Sequence, residues 1–346
     1  MDEFRLPFVS VVMPIRNEAD YIKKAINSIL NSDYPKDKIE ILVVDGMSDD
    51  GTRDIIKRLA AEDMRVKLLD NPHCTVPYAM NKGIRESQGD VIVRVDGHAA
   101  VAPDFISQSV QVLDEHPDVW CAGGVMKTIG TTYWGRVIAS AMSSPFGVGT
   151  GNFRLGNVEG YVDAVIFGAH RRWVFDKVGM FDEELVRHQD DEFIQRMVEA
   201  GAKQYMSPKI RSTYFPRSSL RKLMRQYFQY GFWRIRTIQK RKKPARLRQI
   251  IPLIFVAGWI VLILGALLWR PLSWLLACYA SLYLILLIMG IFHTGRKEGY
   301  KKALLVPIVF VIMHFGYGLG SLVGVWSWVA LRGKYVSKGA DHKLSR

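Results

Sequence analysis

Cysteine is scarce in this chain of 346 residues, which has only Cys74, Cys121 and Cys278. No two of them form a Cys-x-x-Cys pair, so neither a zinc site nor a disulfide framework is expected. Residues 1–8 contain no apolar core of the kind that a cleaved signal peptide needs, so none is expected. Repeats are absent, and a hydrophobic fraction of 49% excludes a disordered chain. These absences favour a reduced protein whose folded part faces the cytoplasm.

Acidic residues are nearly missing from the last third of the chain. Residues 217–346 hold 22 Lys and Arg against 2 Asp and Glu, whereas residues 1–216 hold 25 against 31. The net charge of +14 therefore divides into −6 and +20. A basic balance taken alone suggests a nucleic-acid binder. Because the first two thirds are acidic, no nucleic-acid partner is expected.

The basic third contains three long apolar runs, at residues 249–269, 272–292 and 303–331. Each exceeds the roughly 18 residues that a membrane-spanning helix needs. Positive charge flanks these runs, as anionic lipids and the positive-inside rule favour. The sequence therefore predicts a multi-pass protein of the cell membrane, with a transmembrane region at 249–346.

The third run leaves two alternatives open. A full span would place the tail outside, with five basic residues against the positive-inside rule: Arg332, Lys334, Lys338, Lys343 and Arg346. The alternative is a re-entrant segment broken at the glycine-rich stretch 316–320. Of the two, we favour three spans.

Residues 217–248 are predicted to form a basic amphipathic helix and a linker. From Leu220 to Ile238 the apolar side chains share one helical face, and most Arg and Lys side chains lie elsewhere. Such a helix before an apolar run favours a position in the membrane interface, with packing on the folded domain as the alternative. The run Lys240–Lys243 precedes the first span, so this side is predicted to be cytoplasmic.

Residues 1–216 alternate strand and helix patterns. Apolar runs predict four strands, at residues 8–13, 39–44, 66–69 and 90–95. Helical spacing predicts three helices, at residues 19–30, 52–61 and 76–86. The alternation predicts an α/β domain with a parallel sheet covered on both faces. Polar loops beginning near Arg16, Asp45 and Asp96 follow three strands, where parallel sheets bind ligands.

Five segments carry a family pattern: VSVVMPIRNE, ILVVDGMSDDGT, PYAMNKGI, DVIVRVDGHA and HQDDEFIQR. Their order and spacing resemble glycosyltransferase family 2, whose members are inverting and have the Rossmann-like GT-A nucleotide-sugar-binding fold. VRVDGHA and RHQDDE, followed by apolar segments, look most like the membrane-anchored glucosyltransferases of the succinoglycan-biosynthesis type. The resemblance implies transfer of a sugar, glucose in that group, from a UDP-sugar to a lipid-linked saccharide in exopolysaccharide or cell-surface glycan synthesis.

The resemblance implies eight nucleotide-sugar contacts: Pro14, Arg16, Glu18, Asp45, Ser48, Asn81, Lys82 and Asp96. Of these, Asp45 would face the base, since a carboxylate accepts the N–H of uracil. Many members have a second Asp after it, where this chain has Gly46. Glu18 has an alternative explanation as an acidic residue in the first turn of a helix.

A divalent metal, Mn²⁺ or Mg²⁺, is the cofactor that the resemblance implies. The family motif Asp-x-Asp is here Asp96-Gly97-His98. Asp96 and His98 are therefore the candidate ligands, and manganese tolerates an imidazole better than magnesium does. Alternatively, His98 is a polar loop residue, and Asp96 holds the metal together with the diphosphate.

The catalytic base is predicted in the acidic block His188–Glu192. The Glu-Asp pair of the family aligns with Gln189-Asp190, which nominates Asp190. The alignment can slip by one residue, which would make Asp191 the base. Acidic residues are also expected at a helix N-terminus for electrostatic reasons alone.

Four residues are predicted on the acceptor and diphosphate side: Arg196, Gln229, Trp233 and Arg234. Residues 229–233 are similar to the Gln-x-x-Arg-Trp motif of processive members, but Phe232 replaces its Arg. Addition of one or a few sugars therefore fits better than polymerisation. A second hypothesis, left open by Gly46 and His98, is a nucleotide-sugar-binding membrane subunit without catalysis. The sequence leaves the oligomeric state open, a homo-oligomer included.

Overall fold

The structure, a computed structural model, describes residues 6–148, 158–244 and 247–331. These residues fall into two units. The sheet unit comprises the described residues up to Lys127 and those from 158 to Phe215. The helical unit comprises residues 128–148 and the described residues from Pro216 onward. Residues 128–148 thus group with the apolar C-terminal helices, although they lie between two strands of the sheet in the sequence.

Nine strands of the described residues form one sheet. They are β1 Val9–Ile15, β2 Ile39–Asp45, β3 Val66–Asp70, β4 Val91–Arg94, β5 Ala99–Val101, β6 Val119–Thr128, β7 Gly160–Val162, β8 Ala169–Arg171 and β9 Lys203–Tyr214. Their order is β3-β2-β1-β4-β8-β6-β9-β5, and β7 pairs with β9. The first four are parallel neighbours, whereas β8 is antiparallel to β4 and β6.

The described residues also form thirteen α-helices. They are α1 Ile22–Leu30, α2 Thr52–Glu62, α3 Val76–Glu86, α4 Phe105–Glu115, α5 Tyr133–Met142, α6 Pro145–Val148, α7 Trp173–Val178, α8 Gln189–Glu199, α9 Leu220–Arg241, α10 Ile251–Leu268, α11 Leu272–Glu298, α12 Tyr300–Ala303 and α13 Val306–Gly324. A short π-helical segment, Val325–Ala330, follows α13. Helices α5, α6 and α9–α13 belong to the helical unit.

The predicted α/β domain is confirmed, and its four predicted strands are β1–β4, with ends shifted by at most two residues. The expectation of a parallel sheet is wrong beyond β4, because β5, β8 and β9 pair antiparallel with their neighbours. Along much of β9, buried positions alternate with positions that are exposed or half-buried. That pattern is typical of an antiparallel strand with one face toward solvent.

The register of the parallel strands brings their loops together. Every residue of β1 and β2 is buried, as expected for central strands covered on both faces. Ile15 pairs with Asp45, and Asp45 pairs with Asp70 on the next strand. Val12 pairs with Arg94, so β4 ends close to the same edge. The loops that follow these strands therefore meet at one edge of the sheet.

Three helical segments of the helical unit are long and apolar enough to cross a membrane: Ile251–Leu268, Leu272–Glu298 and Tyr300–Ala330. They correspond to the three predicted runs. The alternative in which the third run breaks at residues 316–320 is wrong, because α13 is helical through this stretch. Gly316 and Gly320 instead admit the neighbouring helix α9, and Gly318 admits α10.

Candidate active site

The loops after β1 and β2 are tied to each other by hydrogen bonds. The backbone N–H of Asn17 donates to Ser48 Oγ at 2.8 Å, and the Asn17 side chain donates to Asp49 at 2.9 Å. The backbone N–H of Glu18 donates to Thr52 Oγ1 at 2.8 Å. Ser48, predicted as a nucleotide contact, therefore also fixes the position of the loop that carries Arg16 and Glu18.

Asp45, the last residue of β2, is fully buried. Its Oδ2 accepts the Ser48 backbone N–H at 3.0 Å and Arg53 Nη1 at 2.7 Å, and its Oδ1 accepts the Ser48 hydroxyl. Arg53 Nη2 donates to Asp70 at 2.7 Å. Ser48 and Arg53 thus cover the carboxylate, whose side chain has no exposed surface. The sequence analysis did not predict Arg53 as a site residue. Its position in the first turn of α2, directly after the loop that follows β2, could have indicated it.

Glu18 and His98 join the loops after β1 and β4. His98 Nδ1 lies 2.8 Å from Glu18 Oε1, and only 7% of Glu18 is exposed. In a neutral ring, a carboxylate partner at Nδ1 favours the tautomer with the proton on that nitrogen, which leaves Nε2 as the acceptor. The His98 ring also packs edge-on against Tyr214. Glu18, predicted to border the nucleoside, thus contacts the candidate metal ligand.

Arg94 links the two carboxylates that the sequence assigns to metal binding and proton transfer. Its Nε donates to Asp96 Oδ1 at 2.8 Å, and its Nη1 lies 3.9 Å from Asp190 Oδ2. Burial works to raise the pKa of Asp96, but the charges of Arg94, His98 and Arg187 outweigh it and lower the pKa. Asp96 is therefore ionised at neutral pH. Arg94 was not predicted; its signal was a basic residue within the apolar strand β4.

Helix α8 holds the acidic block at its N-terminus. His188 precedes it with φ 62°, and Phe193 anchors it by stacking on Phe181 at 4.6 Å between ring centroids. The side chains of Asp190 and Asp191 are 48% and 43% exposed. Asp191 lies 3.1 Å from His188 Nδ1, while Asp190 is the carboxylate near Arg94. Asp190 therefore lies near the same arginine that bonds to Asp96.

Arg196 is held within the fold of the sheet unit. Its Nε donates to Glu192 at 2.8 Å, and its Nη atoms donate to the carbonyls of Val178 at 2.6 Å and Met180 at 2.7 Å. Glu192 is buried. Arg196 therefore orients the carboxylate of Glu192. Its guanidinium is bonded to protein groups at the end of α7.

Asn81 and Lys82 on α3 occupy different settings. Asn81 is buried, and its side chain exchanges two hydrogen bonds with the backbone of Phe181, both 2.9 Å long. Asn81 therefore connects α3 to the chain before α8. Lys82 Nζ donates to the Asp70 carbonyl at 2.8 Å, which places it at the end of β3 beside the Arg53–Asp70 pair.

Arg16 has buried polar atoms without a protein partner. Its Nε and Nη1 are inaccessible to solvent and make no hydrogen bond within the described residues. An unpaired buried guanidinium is costly, so an anion that reaches these atoms gains strong hydrogen bonds. Pro14, two residues earlier, pairs with Val44 inside the sheet.

The three predicted acceptor-side residues after 216 lie on α9 in the helical unit. Trp233 and Arg234 are buried there, and Arg234 Nε donates to Tyr317 Oη of α13 at 3.1 Å. Gln229 lies on the same helix. Their surroundings within this unit are helix–helix contacts.

Comparison with known proteins identifies relatives over nearly the whole chain. The family model described as Glycosyl transferase family 2 matches residues 10–177. The dolichyl N-acetyl-alpha-D-glucosaminyl phosphate 3-beta-D-2,3-diacetamido-2,3-dideoxy-beta-D-glucuronosyltransferase of Methanococcus voltae is 27% identical, over 86% of this chain and 97% of the relative. The succinoglycan biosynthesis protein ExoA of Rhizobium meliloti (strain 1021) is 28% identical, over 92% and 95%.

A solved structure shares the fold. The mannosyltransferase PcManGT from Pyrobaculum calidifontis, in complex with GDP-Man and Mn²⁺, superimposes with a TM-score of 0.62. The match covers 94% of this chain and 88% of that chain at 19% identity. The fold of this chain is therefore a GT-A-like α/β domain followed by a C-terminal helical region.

Proposed function

Because the chain belongs to glycosyltransferase family 2, we propose that it is a membrane-anchored enzyme that transfers a sugar from a UDP-sugar to a lipid-linked saccharide, with inversion at the anomeric carbon. One observation carries this proposal. Arg94 lies between Asp96 and Asp190, at 2.8 Å and 3.9 Å, so the two carboxylates that the family motifs supply share one edge of the sheet.

The donor nucleotide fits the loops after β1 and β2. Asp45 at the end of β2 has a carboxylate that suits the single imide N–H of uracil, once Ser48 or Arg53 moves aside. The unpaired Nε and Nη1 atoms of Arg16 suit the diphosphate, because guanidinium groups bind phosphate oxygens with charge-assisted hydrogen bonds. A uridine diphosphate would satisfy both groups.

A divalent metal fits the same edge. Within the described residues, no three Asp, Glu, His or Cys side chains converge on one point. Mg²⁺ and Mn²⁺ at phosphates need only one or two protein ligands, which Asp96 and Nε2 of His98 would provide. Metal-binding histidines usually have a carboxylate at their other ring nitrogen, and Glu18 occupies that position at Nδ1 of His98. A bound metal would neutralise charge on the leaving diphosphate.

Proton transfer falls to Asp190. Its carboxylate accepts the proton of the acceptor hydroxyl as that oxygen bonds to the anomeric carbon and the bond to the diphosphate breaks. Arg94 is bonded to Asp96 and lies 3.9 Å from Asp190, so its charge acts on both carboxylates. Attack on the face opposite the leaving group inverts the anomeric centre.

A lipid-linked acceptor is supported by the membrane-type helices and by the relatives. The Methanococcus relative is named for transfer to a dolichyl-linked sugar phosphate, and the Rhizobium relative for succinoglycan biosynthesis. Three apolar helical segments would keep such an enzyme at the membrane, where a lipid-linked saccharide is presented.

The test uses the purified full-length protein in lipid nanodiscs. A thermal-shift screen of UDP-, GDP- and ADP-sugars with Mn²⁺ or Mg²⁺ should give the largest stabilisation with a UDP-sugar. UDP release is then measured with lipid-linked saccharide extracts as acceptor. We expect Asp190→Asn to lower kcat by about 10²–10⁴, the usual contribution of a general base.

Asp191→Asn is the matched control, because it neutralises the adjacent carboxylate that faces His188. Asp191→Asn should change kcat by less than about threefold. Both variants should leave the affinity for UDP unaltered. Full activity of Asp190→Asn would refute the assignment of the base. Stronger stabilisation by a GDP-sugar would refute the UDP donor.

A further inference from the structure

The third apolar helix differs from the other two in how much protein covers it. In its most apolar window 44% of the residues are buried within the protein, against 6% for each of the windows in α10 and α11. The covered side of α13 therefore points to a different position relative to the membrane.

Helix α9 runs parallel to α13 at very close range. Gly316, Gly320 and Gly324 meet the α9 residues Met224, Phe228 and Phe232, at steps of four residues on both helices. A Cβ added at Gly320 would lie 2.0 Å from the carbonyl oxygen of Phe228. The second half of α13 thus cannot be separated from α9, so both helices lie at the same depth.

Helix α9 is too charged to lie within the hydrocarbon. Its 22 residues include seven Lys and Arg. Charged side chains are rare in membrane-spanning helices and are costly at the bilayer centre. Because α9 stays at the headgroups or in water, the half of α13 that packs on it stays there too.

The first half of α13 contacts residues that connect strands of the sheet. Phe146 of α6 packs against Phe310 at 6.5 Å between ring centroids, and its carbonyl oxygen lies 2.9 Å from His314 Nε2. Ser140 of α5 contacts Glu298 at the end of α11. The segment with α5 and α6 follows β6 in the chain and precedes β7.

The uncovered side of α13 forms one apolar stripe. At 3.6 residues per turn its exposed side chains share a face. They are Ile308, Val311, Leu319, Val323 and, in the π-helical segment, Trp326. The acyl chains that surround the exposed faces of α10 and α11 are the occupant that fits this stripe, and the basic residues of α9 suit anionic headgroups beside it.

From these contacts we propose that α13 does not cross the membrane but lies in the leaflet where α10 begins and α11 ends, while only α10 and α11 span, as a hairpin. The proposal leaves the chain after residue 331 on the side at which α10 begins. That side also carries the basic runs at 240–243 and 296–302, so the conflict of the basic tail with the positive-inside rule disappears. The proposal is independent of the reaction that the enzyme catalyses.

Cysteine labelling of the full-length protein in bacterial cells tests the proposal. In a background with Cys74→Ser and Cys278→Ser, single probes are placed at Ser337→Cys in the tail, Arg270→Cys in the hairpin turn and Met64→Cys in the sheet unit. Met64 is 89% exposed and reports the side of the sheet. A membrane-impermeant maleimide is added to intact and to lysed cells.

We expect Arg270→Cys to react in intact cells, and Ser337→Cys and Met64→Cys to react only after lysis. Ser337→Cys reacting together with Arg270→Cys would show a third span and overturn the proposal. Green fluorescent protein or alkaline phosphatase fused after Arg346 gives a second reading. The expected result is fluorescence without phosphatase activity, and an active phosphatase would overturn the proposal.

Discussion

The two units of this chain are stabilised by different kinds of contact. In the sheet unit, charged side chains bridge separate segments, as Arg196 does with the carbonyls of Val178 and Met180 and as Glu40 does with Ser10 and Lys67. In the helical unit, glycines let backbones touch, as at Gly231 and Gly320, and aromatic side chains fill the remaining space. The acidic first two thirds and the basic last third of the sequence thus differ in how they pack.

The difference follows from the surroundings of each unit. In water, a hydrophobic core drives folding, and polar side chains can be paired on its margins. Between helices at a membrane there is little gain from burying apolar surface, because lipid is as apolar as leucine. Close backbone contact through small residues then supplies the attraction. Removing a buried charge should therefore lower the stability of the sheet unit most. Adding a methyl group at a glycine should lower the stability of the helical unit most.

The largest effect is expected from Arg196→Met. This substitution leaves Glu192 buried without its cation and strips the carbonyls of Val178 and Met180 of their donor. Breaking one side of a buried ion pair costs about 3–5 kcal/mol. The free energy of unfolding should fall by that amount, measured by denaturant or thermal unfolding of the full-length protein.

Arg85→Met is the matched control for Arg196→Met. Arg85 is 60% exposed and lies 3.8 Å from Glu183, so its loss should cost less than about 1 kcal/mol. Equal losses for the two variants would mean that buried ion pairs do not distinguish the sheet unit.

The sequence located the site by strand ends but did not resolve the roles of neighbouring charges. Asp190 and Glu192 are two residues apart in one acidic block, yet one is half exposed near Arg94 and the other is buried on Arg196. Helical geometry turns them to different faces, and only the packed structure shows which face meets the sheet edge. Arg94 and Arg53 were missed for the same reason, since a single basic residue carries no local pattern.

The helical unit was predictable in its elements but not in its contacts. Apolar length alone identified the three candidate spans, and the alternation of apolar and basic residues identified α9. Gly316 and Gly320 looked like a helix break, because glycine is a poor helix former. They are instead contact points within a continuous helix, which depends on a partner 90 residues away in the chain, as the bond between Ser321 and Gly231 shows.

An intermediate effect is expected from Gly320→Ala. Its Cβ would lie 2.0 Å from Phe228 O, so α9 and α13 would have to separate. Overpacking of this kind costs about 1–3 kcal/mol, which should lower the Tm of the full-length protein in detergent. Gly265→Ala is the matched control, since its Cβ would meet only the end of the Leu272 side chain. A control that loses as much stability would contradict glycine-mediated packing.

The smallest effect is expected from Glu18→Gln, which tests two alternative roles of this carboxylate in ligand binding. If Glu18 holds His98 for a metal through the 2.8 Å contact at Nδ1, Glu18→Gln should weaken Mn²⁺ binding about tenfold or somewhat more, as loss of such outer partners does. Free Mn²⁺ measured by electron paramagnetic resonance reports this, with the exposed Asp20→Asn as control. A Glu18 that borders the nucleoside would instead lower UDP affinity measured without metal and leave Mn²⁺ affinity unchanged. The two measurements together decide whether the carboxylate acts on the histidine or on the nucleoside.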